Sequence, residues 1–302
     1  MENKMDLVSD CTICPRNCHV NRLAGETGYC RTGVGIVLAR AALHMWEEPC
    51  ISGEQGSGTV FFSGCSLGCV YCQNAKIAKN HMGKEVTIDR LVDIYYELKE
   101  QGAANINLVT PTHMLHAVIQ SIQTAKERGF DLPFVYNCGG YEKPESIRLL
   151  NGLVDVYLTD FKYYDNALAI RYSNAPDYVS YAKEALEEMV RQTGEAVFNE
   201  ENMMTIGVIV RHLVLPGCVE DSKKIVKYLY DTYKDRIYIS LMNQYTPLPH
   251  VAAFLEINRK LTEAEYDEVV DYAIDLGVEN GFIQEGDTAT ESFIPDFDIT
   301  GV

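Results

Sequence analysis

The chain has 302 residues, of which 26 are Lys or Arg and 43 are Asp or Glu, so its formal net charge is −17 at pH 7. Such a charge repels a phosphate backbone at long range and argues against nucleic acid as a partner. The sequence shows neither a run of about 18 apolar residues nor a signal peptide, so we expect a cytoplasmic protein without a membrane partner.

The first predicted feature is a cysteine-rich cap over residues 1–51. Cys11, Cys14, Cys18 and Cys30 have the spacing C-x2-C-x3-C-x11-C, which provides four soft metal ligands. A reducing cytosol disfavours disulfides, so the clustering indicates metal binding. Zinc and a second four-iron, four-sulfur (4Fe-4S) cluster both accept four thiolates, and a short knuckle that contains proline favours zinc.

After the cap, short apolar runs alternate with amphipathic stretches of helical length. Six strands are predicted, over residues 59–63, 105–110, 133–137, 154–159, 205–213 and 237–243. Helices are predicted over residues 87–101, 113–128, 145–150, 178–192, 221–233 and 263–276. The alternation indicates an α/β fold, either an open doubly wound sheet or a partly closed barrel. We expect a partial (β/α)6 TIM-like barrel over residues 52–294, followed by a tail over residues 295–302.

A second cysteine group directly follows the first predicted strand. Cys65, Cys69 and Cys72 have the spacing C-x3-C-x2-C. Three thiolates this close can hold one iron–sulfur cluster and leave one iron without a protein ligand, whereas four would close the site. An open iron can bind a small molecule. The alternative is a zinc site completed by a distant residue.

The second cysteine group resembles the signature of the radical S-adenosylmethionine (radical SAM) superfamily, in which an aromatic residue, here Tyr71, precedes the third cysteine. Residues 58–65, 160–162 and 211–217 look like the branch similar to pyruvate formate-lyase activating enzyme. The resemblance implies an oxygen-sensitive oxidoreductase with a 4Fe-4S cluster and SAM, which is cleaved reductively to a 5′-deoxyadenosyl radical that abstracts hydrogen. It also implies a reductant such as flavodoxin or ferredoxin.

Polar residues follow several predicted strands, and the carboxyl ends of parallel strands share one edge of a sheet. By the resemblance, Asp160 and Lys162 help to hold SAM, and Asn137 matches a polar residue near the same ligand. Without that role, Asp160 and Lys162 would form a surface ion pair. In the fifth strand, alternation turns either Arg211 or His212 inward, and we expect Arg211 to clamp a carboxylate.

Residues 110–113 depart from the family pattern. Activating enzymes typically carry Gly-Gly-Glu after the second strand to receive the amino group of SAM, and this chain has Thr-Pro-Thr-His there. Either hydroxyls and strand-end carbonyls replace that contact, or the ligand sits differently. The first expectation is a protein or peptide substrate, as for a glycyl-radical activase. A small-molecule or peptide-modifying radical enzyme is one alternative, and an iron–sulfur electron-transfer or scaffold protein is another.

Overall fold

A mostly parallel sheet lies at the centre of the computed structural model, which describes residues 6–79, 82–284 and 295–302. The strands in chain order are β1 (Ile36–His44), β2 (Ser57–Phe62), β3 (Lys84–Val86), β4 (Ile106–Val109), β5 (Phe134–Cys138), β6 (Val156–Asp160), β7 (Val197–Phe198), β8 (Met204–Leu213), β9 (Tyr238–Met242) and β10 (Gly281–Ile283). They are ordered β10-β9-β8-β6-β5-β4-β2-β1-β3, and β7 pairs with β8. Every neighbouring pair from β2 to β10 is parallel.

Helices connect the parallel strands. In chain order the α-helices are α1 (Asp6–Ser9), α2 (Pro49–Ser52), α3 (Ala75–Ala78), α4 (Ile88–Glu100), α5 (Leu115–Glu127), α6 (Pro144–Arg148), α7 (Asn166–Ser173), α8 (Tyr178–Thr193), α9 (Val219–Tyr233) and α10 (Glu263–Leu276). The Thr87 side chain accepts a hydrogen bond from the Arg90 N–H and caps α4. A capping box between Thr262 and Glu265 begins α10.

The predicted alternation of strands and helices is confirmed. The six predicted strands coincide with β2, β4, β5, β6, β8 and β9, and the predicted helices coincide with α4, α5, α6, α8, α9 and α10, with small differences at their ends. All residues of β2 and β4 are buried, as expected of parallel strands covered on both faces. The fold is therefore α/β, consistent with a partial TIM-like barrel.

The ends of the chain contribute more to the sheet than the predicted boundaries imply. Strand β1 lies within the predicted cap of residues 1–51, yet it pairs antiparallel with both β2 and β3. The predicted tail packs on β1, because the Ala41 N–H donates to the Thr300 carbonyl at 2.8 Å and the Ile299 N–H donates to the Ala39 carbonyl at 3.0 Å. The ring of Phe297 also contacts Phe61.

No helix in the described ranges is long and apolar enough to cross a membrane.

Candidate active site

A cavity of about 750 Å³ opens at the carboxyl edge of the parallel strands. Loops that follow β2, β4, β5 and β6 form its walls, together with the ends of β8 and β9. The predicted residues of this region all line the cavity: Cys65, Cys69, Tyr71, Cys72, Asn137, Asp160, Lys162 and Arg211. The fold thus brings together side chains that are up to 146 positions apart in the sequence.

The loop after β2 carries the three clustered cysteines. Gly68 adopts a φ of 73°, a left-handed conformation that glycine accepts without strain, and this turn brings Cys69 back beside Cys65. The Leu67 N–H donates to the Cys65 sulfur at 3.3 Å. Burial, with smaller contributions from the neighbouring Cys69 and Cys65 thiolates, raises the pKa of the Cys72 thiol to about 12. Three neighbouring thiols, of which Cys69 is buried and Cys65 and Cys72 are half-buried, repel one another when ionised and suit a cationic metal group.

Three thiolates are the donor set of an iron–sulfur cluster that keeps one iron open. In an iron–sulfur cluster each cysteine binds its own iron, so the thiolates converge less tightly than the ligands of one zinc ion. The donor set at Cys65, Cys69 and Cys72 therefore fits a cluster.

A chain of hydroxyl groups ends on one of the three sulfurs. The Ser173 hydroxyl donates to the Cys69 sulfur at 3.0 Å, so it must accept from the Tyr163 hydroxyl, which lies 2.7 Å away. Tyr163 in turn lies 2.7 Å from the Tyr71 hydroxyl. All four side chains are buried. The hydroxyl of Tyr71 therefore points into the protein, toward the Tyr163 hydroxyl, and its ring contributes to the cavity wall.

The hydrogen bond from Ser173 is expected to tune a cluster held by Cys69. A donor to a coordinating sulfur favours the reduced, more negative state, so Ser173→Ala should lower the midpoint potential by tens of millivolts. Redox titration followed by electron paramagnetic resonance measures this shift. Ser180→Ala is the matched control, since Ser180 is exposed on α8. An unchanged potential in Ser173→Ala would show that the hydroxyl chain has no influence on the cluster.

Asp160 and Lys162 form an ion pair at the end of β6, with their nearest charged atoms 2.5 Å apart. The side chains are 23% and 18% exposed, so the pair is neither free on the surface nor fully enclosed. Burial lowers the pKa of Lys162, but Asp160 and the Cys69 and Cys72 thiolates outweigh burial and raise it. The Lys162 ammonium therefore remains charged beside the cysteine loop.

Arg211 lies on the neighbouring strand β8, in register with Asp160, and it already holds two carboxylates of the chain itself. Its guanidinium donates to Glu48 at 2.8 Å and 2.6 Å and also contacts Glu47. The alternation in β8 turns His212 away from the cavity, where its ring nitrogens lie 2.8 Å from the Phe161 carbonyl and from the Ser222 hydroxyl. The carboxylates that Arg211 holds therefore belong to the protein itself, in the segment that follows β1.

The loop after β4, residues 110–113, holds a strained residue. Thr110 has a φ of 57°, a left-handed conformation that is a genuine outlier for a β-branched side chain. The Thr112 hydroxyl donates to a carboxyl oxygen of Glu142 at 2.9 Å, and the His113 ring lies 2.8 Å from the Ser63 carbonyl. The loop therefore contacts both the segment between β2 and the three cysteines and the loop that follows β5.

The N-terminal cysteines lie outside the cavity but close to the cysteine loop. Burial, with contributions from the Cys30, Cys11 and Cys18 thiolates, raises the pKa of Cys14 to about 12, so the four thiols are near one another. From the same segment, Arg16 donates to four backbone carbonyls, those of Ser66, Leu67, Ser173 and Asn174. Its guanidinium also stacks on the ring of Tyr29 at 3.7 Å.

Sequence reasoning missed several residues around the cavity. Neither Glu47 and Glu48, nor Arg16, nor Ser173 carries a motif that marks it. Glu142 has a signal that was overlooked, because it ends a Gly-Gly-x-Glu stretch over residues 139–142 directly after β5.

The comparisons with known proteins agree with this geometry. Residues 59–206 match the family model of the radical SAM superfamily, and this segment contains the cysteine loop and the strand ends that line the cavity. This segment, just under half of the chain, is therefore a radical SAM domain. An uncharacterized protein of Methanocaldococcus jannaschii is 28% identical over 284 residues, which cover 90% of this chain and 77% of that protein.

Solved structures share the fold at low sequence identity. A crystal structure of HydG, a maturase of the FeFe-hydrogenase, is 14% identical with a TM-score of 0.50, over 76% of this chain and 52% of that one. Streptococcus suis SuiB, crystallised with S-adenosylmethionine, is 13% identical with a TM-score of 0.49, over 74% of this chain and 48% of that one. The chain spans about half the length of these two structures.

Proposed function

We propose that this chain binds a 4Fe-4S cluster through Cys65, Cys69 and Cys72 and uses SAM to abstract a hydrogen atom from a substrate. The observation that carries the proposal is the convergence of these three thiols, one buried and two half-buried, on a cavity at the carboxyl ends of the strands. Bound together, the cluster and SAM supply a 5′-deoxyadenosyl radical. The protein must position the ligand and the substrate hydrogen and exclude water.

The residues of the cavity suit a small ligand that carries charges of both signs. The ammonium of Lys162 would attract the carboxylate of SAM, and Asp160 keeps that ammonium oriented. Asn137 offers an amide on the same wall. The buried ring of Tyr71 packs edge-on against Tyr245, so this wall is rigid and excludes water.

A protein or peptide is our first proposal for the substrate, as for a glycyl-radical activase. Large apolar side chains stand exposed where the cavity meets the surface, with Trp46 65% and Ile283 46% exposed. Such side chains suit contact with a polypeptide. A small-molecule or peptide-modifying enzyme without a glycyl radical partner is the second candidate, because residues 110–113 lack the Gly-Gly-Glu of activating enzymes.

We propose a closed metal site for Cys11, Cys14, Cys18 and Cys30, either zinc or a second 4Fe-4S cluster. Four thiols near one another, with the pKa of Cys14 raised by burial and mutual repulsion, support a bound cation. The proposed electron donor is a flavodoxin or ferredoxin. An electron-transfer or scaffold protein would use the same cysteines without making a radical.

Anaerobic turnover separates the enzyme from the scaffold. Protein reconstituted with iron and sulfide and reduced with dithionite is expected to convert SAM to 5′-deoxyadenosine and methionine in equal amounts. Chromatography of the quenched reaction measures both products. If neither product forms, and metal is retained only at the Cys11 group, the chain acts as a scaffold and the proposed function is wrong.

A further inference from the structure

The segment that joins β1 to β2 packs against the face of the sheet that borders the cavity. Residues 46–49 line the cavity, and Cys50 and Ile51, which follow in α2, are buried in one apolar cluster with residues of β5, β6 and β8. The Asn105 side chain, which directly precedes β4, donates to the Ile51 carbonyl at 2.7 Å. These contacts hold the two glutamates of the segment, Glu47 and Glu48, at the wall of the cavity.

The ion pairs of this segment leave one negative charge in excess. The side chains of Glu47 and Glu48 are 7% and 5% exposed, and both carboxylates pair with the single guanidinium of Arg211. Burial lowers the pKa of His44, which also lines the cavity, so its ring is neutral at pH 7 and adds no positive charge. The Lys162 ammonium is held by an ion pair of its own. A partly enclosed negative charge favours a cation from the cavity.

A buried acceptor beside Glu47 has no donor. Asn107 is fully buried, and alternation along β4 places it on the same face as Val109, which lines the cavity. Its amide nitrogen Nδ2 donates to Glu47 Oε1 at 2.9 Å. Because a carboxylate only accepts hydrogen bonds, this contact fixes the orientation of the amide group. Its oxygen Oδ1 is therefore the atom left without a partner among the described residues.

The unpaired oxygen of Asn107 and the excess charge at Glu47 favour the same kind of ligand. A buried acceptor without a donor is costly, and a group with several N–H donors would remove that cost. Each carboxylate oxygen of Glu47 can accept a second hydrogen bond. Trp46, which directly precedes Glu47, adds an aromatic ring that lines the same cavity. Aromatic ring faces attract ammonium and guanidinium groups.

We propose that the Glu47 carboxylate and the Asn107 amide oxygen bind a cationic group of the substrate, an ammonium or a guanidinium. The inference rests on the proposed function and names the chemical class of its substrate. A lysine or arginine side chain of a peptide and a small amine share this chemistry. The two binding residues come from the segment between β1 and β2 and from β4, not from the cysteine loop. The substrate and SAM should therefore bind together.

The test measures binding of four probes to the reconstituted holoenzyme, with and without SAM. Pentylammonium is compared with pentanol, and a blocked tripeptide with a central lysine is compared with its norleucine counterpart. Calorimetry gives the affinities, and the fluorescence of Trp46, the single tryptophan of the chain, reports binding in the cavity. Each cationic probe should bind about tenfold or more tightly than its uncharged counterpart. Tighter binding of the tripeptide indicates a peptide substrate, and tighter binding of pentylammonium indicates a small amine.

The variant Glu47→Gln tests the residue directly. It should weaken both cationic probes by about tenfold and leave the uncharged probes unchanged, because the Arg211 and Glu48 pair remains balanced. The matched control is Glu54→Gln, whose parent residue is exposed in the same segment between β1 and β2 and which should change neither affinity.

Each other outcome decides against one of the two proposals. Cationic probes that bind no more tightly than the uncharged ones, or that bind Glu47→Gln as tightly as the wild type, overturn the inference. Competition between the cationic probes and SAM also overturns it. A holoenzyme that keeps the preference for cations but neither binds nor cleaves SAM refutes the proposed function alone. Should Glu47→Gln not fold, Glu47→Asp keeps the charge but withdraws the carboxylate, and a severalfold loss confined to the cationic probes supports the inference, while its absence contradicts it.

Discussion

Changing Cys65, Cys69 and Cys72 together to Ala is expected to remove about four iron atoms per chain and to abolish the cleavage of SAM. The three thiols are the soft donors on the loop after β2, and the pKa values of Cys65 and Cys72 are raised by burial. A bound cationic group offsets the cost of ionising Cys65 and Cys72. Iron and sulfide analysis of anaerobically reconstituted protein measures the loss.

A matched control tests whether the effect belongs to these positions. Cys138 lines the same cavity and is buried, but burial and the nearby Glu142 carboxylate raise the pKa of its thiol well above the ordinary value. Cys138→Ala should keep its iron and its activity. A wild type with about four irons indicates one cluster plus zinc, and about eight indicates two clusters. Iron content unaffected by the triple change would contradict the assignment.

Replacing Arg16 with Ala is expected to destabilise the protein by roughly 3 kcal/mol and to reduce iron retention at the cysteine loop. One guanidinium donates to the carbonyls of Ser66 and Leu67, inside that loop, and to those of Ser173 and Asn174 at the end of α7. Without it, these four carbonyls lose a shared charged donor. Denaturant unfolding and iron analysis measure the two effects.

Two further variants separate geometry from charge. Arg16→Lys keeps the positive charge but cannot reach four carbonyls from one planar group, so most of the loss should remain. Arg148→Ala removes an exposed arginine of α6 and should change stability by less than about 0.5 kcal/mol. If Arg16→Ala were as stable as Arg148→Ala, the N-terminal segment would have no part in holding the cysteine loop.

Hydrophobic alternation predicted most of the fold because parallel strands and their helices carry strong, local patterns. It missed β1, whose alanine-rich run lies among the cap residues, and β10, which has only three residues. The pairing of β1 with β2 depends on contacts across the sheet. The local pattern of β1 therefore did not distinguish a strand from a cap segment.

For the cavity too, local sequence patterns predicted some residues, whereas contacts between distant parts of the chain were not predicted. The cysteine spacing and the pair of Asp160 and Lys162 are local signals at strand ends. The structure places all of these residues around one cavity. Arg211 follows from alternation, but its partners Glu47 and Glu48 come from about 160 residues earlier in the chain. Glu142 accepts a hydrogen bond from Thr112, which belongs to another loop, so the sequence alone did not reveal this contact.

The most direct test of the account asks whether one iron of the cluster is open to SAM. Reduced, anaerobic protein should show a cluster spectrum that changes when SAM is added, and SAM labelled with nitrogen-15 or oxygen-17 in its amino or carboxylate group should couple magnetically to that cluster. The variant with Cys65, Cys69 and Cys72 changed to Ala should give no such signal. A spectrum that is unchanged by SAM, with a protein side chain bound to the fourth iron, would contradict the account.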